Sequence, residues 1–289
     1  MTTEARENRT AWVLAGGGSL GAVEVGMMRA LVASGQRPDF LVGASVGAIN
    51  AVYFAGDPTL DGLDRLVKVW TGLRRSDVFP LSPVSGMLAM LGRRPNLLRS
   101  NALQRLLSRE LPLTRLEESV IPCSVVATDV LGGGEVRLDR GDAVQALLAS
   151  TAIPGFFPPV EIDGRLLMDG GVANNTPIST AVGLGLQRVI VLPTGVACVQ
   201  RTAPQSAMAM VLHAFSYLIS RHLVRDIERF ADIVEVVVVP PLCPLVVSPY
   251  DFSQPASLIA RASELTEHWI QGGGMSQPDV PMALTPHSH

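Results

Sequence analysis

The sequence predicts an α/β fold in which helices cover both faces of a mostly parallel sheet. Short apolar segments rich in Val and Ile alternate with longer amphipathic segments along most of the 289 residues. Hydrophobic residues make up 47% of the chain and aromatic residues only 5%, so the core is built mainly from aliphatic side chains. Such a composition is typical of strands buried on both faces, and the alternation is typical of βαβ units.

Five apolar segments are predicted to be buried strands. They are rich in β-branched residues and are bounded by Gly, Pro or charged residues. In chain order they are 11–15, 40–43, 121–128, 188–192 and 233–239. Two hairpins are also predicted, because glycine tolerates the positive φ of tight turns: one at 132–134 and one at Asp163-Gly164.

The amphipathic segments between the strands predict helices. In chain order they are 22–33, 46–55, 60–73, 101–109, 143–149, 206–230 and 255–270. Ser100 is expected to cap the fourth of them, and the apolar side chains of the sixth are expected to lie in the core. No linker rich in Pro, Gly or Ser precedes residue 271. We therefore expect a polar arm at 1–10, one domain at 11–271 and a flexible tail at 272–289.

Charge and cysteine content exclude several classes of function. The net charge is −3 and Lys and Arg form no cluster, which argues against a nucleic-acid partner. Cys123, Cys198 and Cys243 lie far apart, which argues against a metal site or disulfide framework and indicates thiols in a reducing compartment. No segment has the pattern of a signal peptide or the roughly 20 apolar residues of a membrane span. We expect a cytoplasmic protein.

The first glycine cluster, Gly16-Gly17-Gly18-Ser19-Leu20-Gly21, lies between a predicted strand and a predicted helix. It matches the GxGxxG pattern of dinucleotide-binding folds, in which backbone N–H groups at a helix N-terminus face a phosphate. That interpretation requires an acidic residue at the end of the second strand. Asp39 instead precedes that strand. The same N–H groups are equally suited to an oxyanion hole.

The second cluster, Gly43-Ala44-Ser45-Val46-Gly47, ends the second predicted strand and begins a predicted helix. This is the setting of a nucleophile elbow, in which a serine occupies a strained turn and flanking glycines allow close backbone approach. Ser45 would then stand at the carboxyl edge of the sheet, where open α/β sheets bind ligands. The pattern makes Ser45 the candidate nucleophile.

The base that would activate Ser45 is less evident from the residues. No histidine precedes His213, and only His268, near the end of the last predicted helix, is a reasonable candidate for a triad. An aspartate could act directly, since burial raises the pKa of a carboxyl group and strengthens it as a base. Asp169 and Asp129 both end apolar segments, and composition does not choose between them.

Four segments taken together resemble the patatin-like phospholipases: 16–21, 43–50, 150–159 and 169–171. The likeness extends over residues 12–181. It implies a three-layer α/β/α sandwich, a catalytic dyad of Ser45 and Asp169, and an oxyanion hole at Gly16, Gly17 and Gly18. Gly21, Gly43, Gly47, Gly170 and Gly171 would support the loops. The implied substrate is a phospholipid or a related lipid acyl ester, hydrolysed without metal or cofactor and with transient contact to a membrane surface.

Leu20 departs from the family, many members of which have Arg at this position. The difference affects the expected head-group preference and leaves the dyad unchanged. Residues 78–98 are rich in apolar side chains, are interrupted by prolines and show no strand pattern, so they are expected to form either a membrane-facing flap or an irregular lid on the core. Three alternative functions remain open: an α/β-hydrolase esterase using His268, a nucleotide-binding protein and a non-catalytic lipid-binding protein.

Overall fold

The computed structural model of the protein describes residues 9–79, 98, 100–195, 207–276, 281 and 284. Eight strands form one sheet in this part of the chain. They are β1 Thr10–Leu14, β2 Phe40–Ala44, β3 Cys123–Asp129, β4 Glu135–Leu138, β5 Val160–Ile162, β6 Arg165–Asp169, β7 Arg188–Leu192 and β8 Glu235–Val238.

Helices connect most of the strands. They are α1 Gly21–Ala33, α2 Val46–Gly56, α3 Leu60–Gly72, α4 Arg75–Val78, α5 Asn101–Glu110, α6 Ala143–Ser150, α7 Gly171–Asn174, α8 Ile178–Gly183, α9 Ala207–Phe230 and α10 Pro255–Gln271. Three short 3₁₀ helices cover Gly18–Leu20, Leu116–Glu118 and Gly274–Ser276. The predicted strands and helices all exist, with ends shifted by one or two residues.

The sheet is mixed and mostly parallel, as predicted. β3, β2, β1, β7 and β8 are neighbours in this order and run parallel. Both predicted hairpins are confirmed, because β3–β4 and β5–β6 pair antiparallel. In the second hairpin Asp163 and Gly164 have φ values of 50° and 74°, the positive values that a two-residue hairpin turn requires.

β3 extends beyond the end of β2, and β6 pairs with the part that extends. The last residue of β2, Ala44, is the partner of Val126, and the last residue of β6, Asp169, is the partner of the next residue, Ala127. β4 occupies the other edge of β3 along this stretch. β2 and β6 therefore approach each other end to end on one edge of β3.

Both faces of the sheet are buried, which confirms the three-layer sandwich. Successive side chains of β1 point to opposite faces. Trp12 and Leu14 belong to the apolar cluster formed with α1, α2, α3 and α10, whereas Ala11 and Val13 belong to the cluster formed with α8 and α9. Trp12 stacks on Phe54 of α2 with ring centroids 5.6 Å apart, so α2 lies firmly against the sheet.

Two expectations need correction. Ser100 precedes α5 but makes no capping hydrogen bond with its side chain. Met210 of α9 is exposed, so the apolar side chains of this helix do not all face the core. In the first residues of the expected tail, Gly274 packs on the Trp269 ring, and Arg188 donates a hydrogen bond to the carbonyl of Met275. Within the described residues, no helix is long and apolar enough to span a membrane.

Candidate active site

Ser45 occupies a strained turn between β2 and α2. Its φ of 53° and ψ of −126° lie outside the regions favoured by residues with a side chain. A Cβ on Gly43 would lie 2.6 Å from Ala48 N, and one on Gly47 would lie 2.6 Å from Ala15 O. Both glycines are therefore required by close backbone approach, since α2 turns back directly over β1 and β2.

The Ser45 hydroxyl donates a hydrogen bond to Oδ2 of Asp169 over 2.8 Å. The other carboxylate oxygen, Oδ1, accepts one from the backbone N–H of Gly171, also over 2.8 Å. Asp169 is 7% exposed, and this burial raises its pKa to about 6 despite the two hydrogen bonds, which act in the opposite direction. A buried carboxylate with a raised pKa lies in direct contact with the strained serine.

Ser150, at the end of α6, fixes the turn that contains Ser45 through hydrogen bonds. Its hydroxyl accepts a hydrogen bond from the backbone N–H of Ser45 at 2.8 Å and donates one to the carbonyl of Val126 at 2.6 Å. Ser150 thus couples the elbow to β3. Sequence reasoning assigned it no role, although it opens the 150–159 segment that carries part of the family resemblance.

The glycine loop lies beside the elbow and is fixed mainly at Gly16. The N–H of Gly16 donates to the carbonyl of Asn175 at 2.9 Å. Its carbonyl accepts from Thr194 Oγ1 at 2.9 Å and Asn175 Nδ2 at 3.2 Å. Because this N–H group is already paired, the expectation that Gly16 is an oxyanion donor is wrong. Neither Asn175 nor Thr194 was singled out by the sequence.

Backbone N–H groups near Ser45 that have no backbone acceptor among the described residues include those of Gly17, Gly18 and Val46. Gly18 adopts a φ of +59° and begins the 3₁₀ turn before α1. Val46 is the first residue of α2, and the first N–H groups of a helix have no partner within it. Sequence reasoning missed Val46, although the residue after the nucleophile is a known position for an oxyanion donor.

A cavity of about 90 Å³ lies beside Ser45. Its walls come mainly from α2, α3 and α5, and Phe79, Phe157 and Phe252 also line it. Apolar side chains such as Ile49, Leu66 and Leu107 line most of it.

The remaining sequence candidates lie elsewhere. His268 is exposed on α10, with Nδ1 2.8 Å from the carbonyl of Glu264 in the same helix. Asp129 binds the N–H groups of Leu131 and Gly132 in the hairpin turn. Asp39 accepts a hydrogen bond from the N–H of Thr10 and precedes β2, so it does not meet the requirement of a ribose-binding residue.

Like Gly43 and Gly47, the other glycines expected to support the loops pack tightly. A Cβ on Gly21 would lie 2.6 Å from the Val46 side chain, and one on Gly171 would lie 3.0 Å from Asp169 Oδ1. A Cβ on Gly170 would collide with the carbonyl of Val126. Leu20, at the position of the family's Arg, is buried in the core. Of the expected flap at 78–98, residues 80–97 lie outside the described residues.

Comparisons with known proteins agree with the resemblance. A family model described as patatin-like phospholipase matches residues 12–182, more than half of the chain. Patatin-like phospholipase domain-containing protein 7 of Mus musculus is 28% identical over 65% of this chain and 14% of its own length. An uncharacterized NTE family protein of Mycobacterium tuberculosis is 32% identical over 63% of this chain and 48% of its own length. The chain thus spans less than half of either relative.

Solved structures give a weaker likeness. VipD from Legionella pneumophila aligns with a TM-score of 0.48 and 15% identity, over 92% of this chain and 67% of that one. Human GIVD cytosolic phospholipase A2 aligns with a TM-score of 0.47 and 11% identity, over 98% of this chain and 60% of that one. Both scores are below 0.5, so the fold assignment rests on the sheet topology and the family match.

Proposed function

The chain belongs to the patatin-like phospholipase family, and from this premise we propose that it hydrolyses carboxylic esters of phospholipids or related lipids through a dyad of Ser45 and Asp169. The reaction proceeds through an acyl-enzyme on Ser45. The observation that carries this proposal is the 2.8 Å hydrogen bond between the two side chains, with Ser45 lining an apolar cavity.

Asp169 acts as the general base. With a pKa of about 6 it is mainly ionised at neutral pH, yet it is a stronger base than a carboxylate in water. It takes the proton of the Ser45 hydroxyl as Oγ attacks the ester carbonyl, and it returns that proton to the leaving alkoxide. In the second half-reaction Asp169 takes a proton from water, the resulting hydroxide attacks the acyl-enzyme, and the proton passes to Ser45 Oγ.

The N–H groups of Gly17, Gly18 and Val46 stabilise the oxyanion. Each lies beside the elbow and lacks a backbone acceptor among the described residues. Donors held in place before the reaction stabilise the charge that develops on the carbonyl oxygen more effectively than water does, since they need no reorientation. Gly16 fixes the loop through Asn175 and Thr194.

The cavity receives the acyl chain. A hydrocarbon chain requires an apolar surface, and Val46, Ile49 and Leu66 supply such a surface directly beyond Ser45. Burial of a methylene group contributes about 0.8 kcal/mol, so a chain of several carbons is bound firmly. Such substrates reside in membranes, so the proposal includes transient contact with a membrane surface.

Replacement of the nucleophile tests the proposal. We expect Ser45→Ala to lower hydrolysis of p-nitrophenyl acyl esters by roughly 10³-fold or more and to abolish labelling by a fluorophosphonate probe. Ser108→Ala, on the exposed face of α5, is a matched control that should retain both. Unimpaired hydrolysis by folded Ser45→Ala would disprove the assignment. Absence of labelling and hydrolysis in the wild type would favour a non-catalytic lipid-binding protein.

A further inference from the structure

The peptide unit that joins Gly16 to Gly17 is held by side chains from two distant parts of the chain. Its carbonyl oxygen, on Gly16, accepts hydrogen bonds from Thr194 Oγ1 at 2.9 Å and from Asn175 Nδ2 at 3.2 Å. Thr194 lies in the loop after β7 and is buried, and Asn175 directly follows α7. Two loops therefore converge on one oxygen atom of the glycine loop.

The same peptide unit carries the N–H of Gly17. A trans peptide is planar, and its carbonyl and N–H groups point in opposite directions. Donors that hold the Gly16 oxygen thus also fix the direction of the Gly17 N–H, which has no backbone acceptor among the described residues. Ser45 is adjacent, since a Cβ on Gly16 would lie 3.2 Å from Ser45 Cβ.

Backbone preference alone does not fix the orientation of this peptide unit. A rotation of the unit by 180° changes ψ of Gly16 and φ of Gly17, and glycine tolerates both signs of φ. The rotated unit would present the Gly16 oxygen where the Gly17 N–H now points, and this oxygen would repel an oxyanion. The next unit is held differently, because the Gly17 carbonyl accepts a hydrogen bond from the N–H of Leu20 at 3.2 Å in the 3₁₀ turn.

We propose that Thr194 and Asn175 are positioning residues that hold the Gly17 N–H towards the oxyanion formed at Ser45. Both act through the Gly16 carbonyl. Their effect falls mainly on the transition state, since the negative charge on the substrate oxygen develops only as Ser45 attacks. This inference rests on the proposed function.

Thr194→Val tests the proposal, because it removes the hydroxyl and keeps nearly the same shape against Gly17. We expect kcat for a p-nitrophenyl ester to fall roughly 10–100-fold, somewhat less than for loss of a whole oxyanion donor. KM should stay within about twofold of the wild-type value, since ground-state binding is unaffected. Thr194→Ser keeps the hydroxyl and should recover most of the rate. Thr266→Val is the matched control: Thr266 is buried in α10, and its hydroxyl has no hydrogen-bond partner among the described residues.

A pair of inhibitors separates positioning from packing. Ser45 Oγ adds to the carbonyl carbon of an alkyl trifluoromethyl ketone, the π electrons of the carbonyl become an alkoxide on its oxygen, and Asp169 takes the serine proton. The matching trifluoromethyl carbinol has no carbonyl and forms no alkoxide. Thr194→Val should weaken binding of the ketone about as much as it lowers kcat/KM, and it should leave binding of the carbinol unchanged.

Asn175→Ala provides a second test through the other donor. It should weaken the ketone and spare the carbinol in the same way, so it decides the matter if Thr194→Val fails to fold. Asn174→Ala is its control, because the amide of Asn174 donates to Glu135 and Ser179 and not to the glycine loop.

The outcomes distinguish this inference from the proposed function. If the wild type hydrolyses esters and the folded Thr194→Val and Asn175→Ala variants keep its kcat, the positioning role alone is overturned. It is also overturned if ketone and carbinol are weakened equally, which would indicate a distorted cavity, or if Thr194→Ser does not recover the rate. Absence of both hydrolysis and the ketone adduct in the wild type would overturn the proposed function, and this inference with it.

Discussion

Ser45 and Asp169 are in contact because the backbone of each is held by hydrogen bonds to groups outside the pair. The N–H of Ser45 is bound by Ser150, and the carbonyl of Asp169 accepts a hydrogen bond from Thr128 Oγ1 at 2.7 Å. The N–H of Asp169 binds the carbonyl of Ala152. With their backbones fixed, the two side chains need little reorganisation to exchange a proton, which is the condition for efficient general-base catalysis.

The pKa of Asp169 predicts the pH dependence of the reaction. Because the base must be ionised, kcat/KM should fall about tenfold per pH unit below pH 6 and be level above it. Asp169→Asn, which retains the shape of the side chain without its basicity, should lower kcat/KM roughly 10²–10⁴-fold at pH 7.5. Rates with a soluble p-nitrophenyl ester between pH 4.5 and 8.5 provide the measurement.

Substitution of the histidines provides the control for Asp169. His213, His222 and His268 replaced together by Gln should retain most of the activity and the same pH profile. The opposite result, an inactive but folded histidine variant and an active Asp169→Asn, would support a triad built on a histidine.

The elbow depends on how closely α2 packs against the sheet. Gly47 lies in the first turn of this helix, and its backbone contacts the end of β1. A side chain at this position meets the carbonyl oxygens of Leu14 and Ala15, which belong to the central strand and the loop after it and have little room to move. The glycine thus sets the separation between the elbow and the glycine loop.

We expect Gly47→Ala to destabilise the protein by about 2 kcal/mol or more, since the added methyl group would lie 2.5 Å from Leu14 O. Activity should fall with it. Gly72→Ala, at the end of α3, is the matched control: its Cβ would meet no atom within 4 Å, and the change should be neutral or slightly stabilising. Urea unfolding gives both values. Equal stability of the two variants would show that α2 tolerates displacement.

A buried polar network joins three helices next to the site. Asn50 of α2 donates to the carbonyl of Gly21 at 2.9 Å and to Glu24 Oε2 at 2.8 Å, and it accepts a hydrogen bond from Trp70 Nε1 at 3.0 Å. Burial raises the pKa of Glu24 well above its usual value, although the Asn50 hydrogen bond lowers it. The elbow helix, the helix after the glycine loop and a wall of the cavity are therefore fixed to one another.

The stability of the molecule should depend on pH through Glu24. A group whose pKa is raised by folding contributes stability that is complete below its unfolded pKa and decreases as the pH rises towards the folded value. This loss ends near pH 6 for Asp169, and for Glu24 it extends from the usual pKa of a glutamate up to the raised pKa of the buried carboxyl. While Glu24 keeps its proton only in the folded state, the free energy of unfolding should fall by up to about 1.4 kcal/mol per pH unit on its account.

Glu24→Gln should remove the part of the decline that Glu24 causes, because the amide does not ionise and Gln retains an acceptor for Asn50. Asp169→Asn should flatten the pH dependence of the free energy of unfolding only below pH 6. Urea unfolding at half-unit steps from pH 5 to 8.5 measures all three proteins. Parallel curves for the wild type and Glu24→Gln would mean that Glu24 does not keep its proton on folding.

The sequence by itself determined the architecture and the identity of the candidate pair. Hydrophobic periodicity located the strands and helices to within one or two residues, because burial on one or both faces imposes the pattern directly. The GxSxG pattern identified Ser45, since only glycines fit on either side of so tight a turn. The choice of Asp169 over Asp129 came from the family resemblance, because both follow apolar segments and local composition is equivalent.

Only the tertiary structure decided which backbone N–H groups are available to a ligand and which are already hydrogen-bonded within the protein. Residues 16, 17 and 18 are all glycine, so the sequence does not distinguish them. In the structure the N–H of Gly16 donates a hydrogen bond to the carbonyl of Asn175, 159 positions away. The meeting of Ser45 with Asp169 depends on two strands ending on the same edge of β3, and the apolar lining of the cavity depends on side chains from α2, α3 and α5 coming together. Periodicity reports whether a residue is buried, whereas hydrogen-bond pairing and the lining of a cavity depend on contacts between segments distant in the chain.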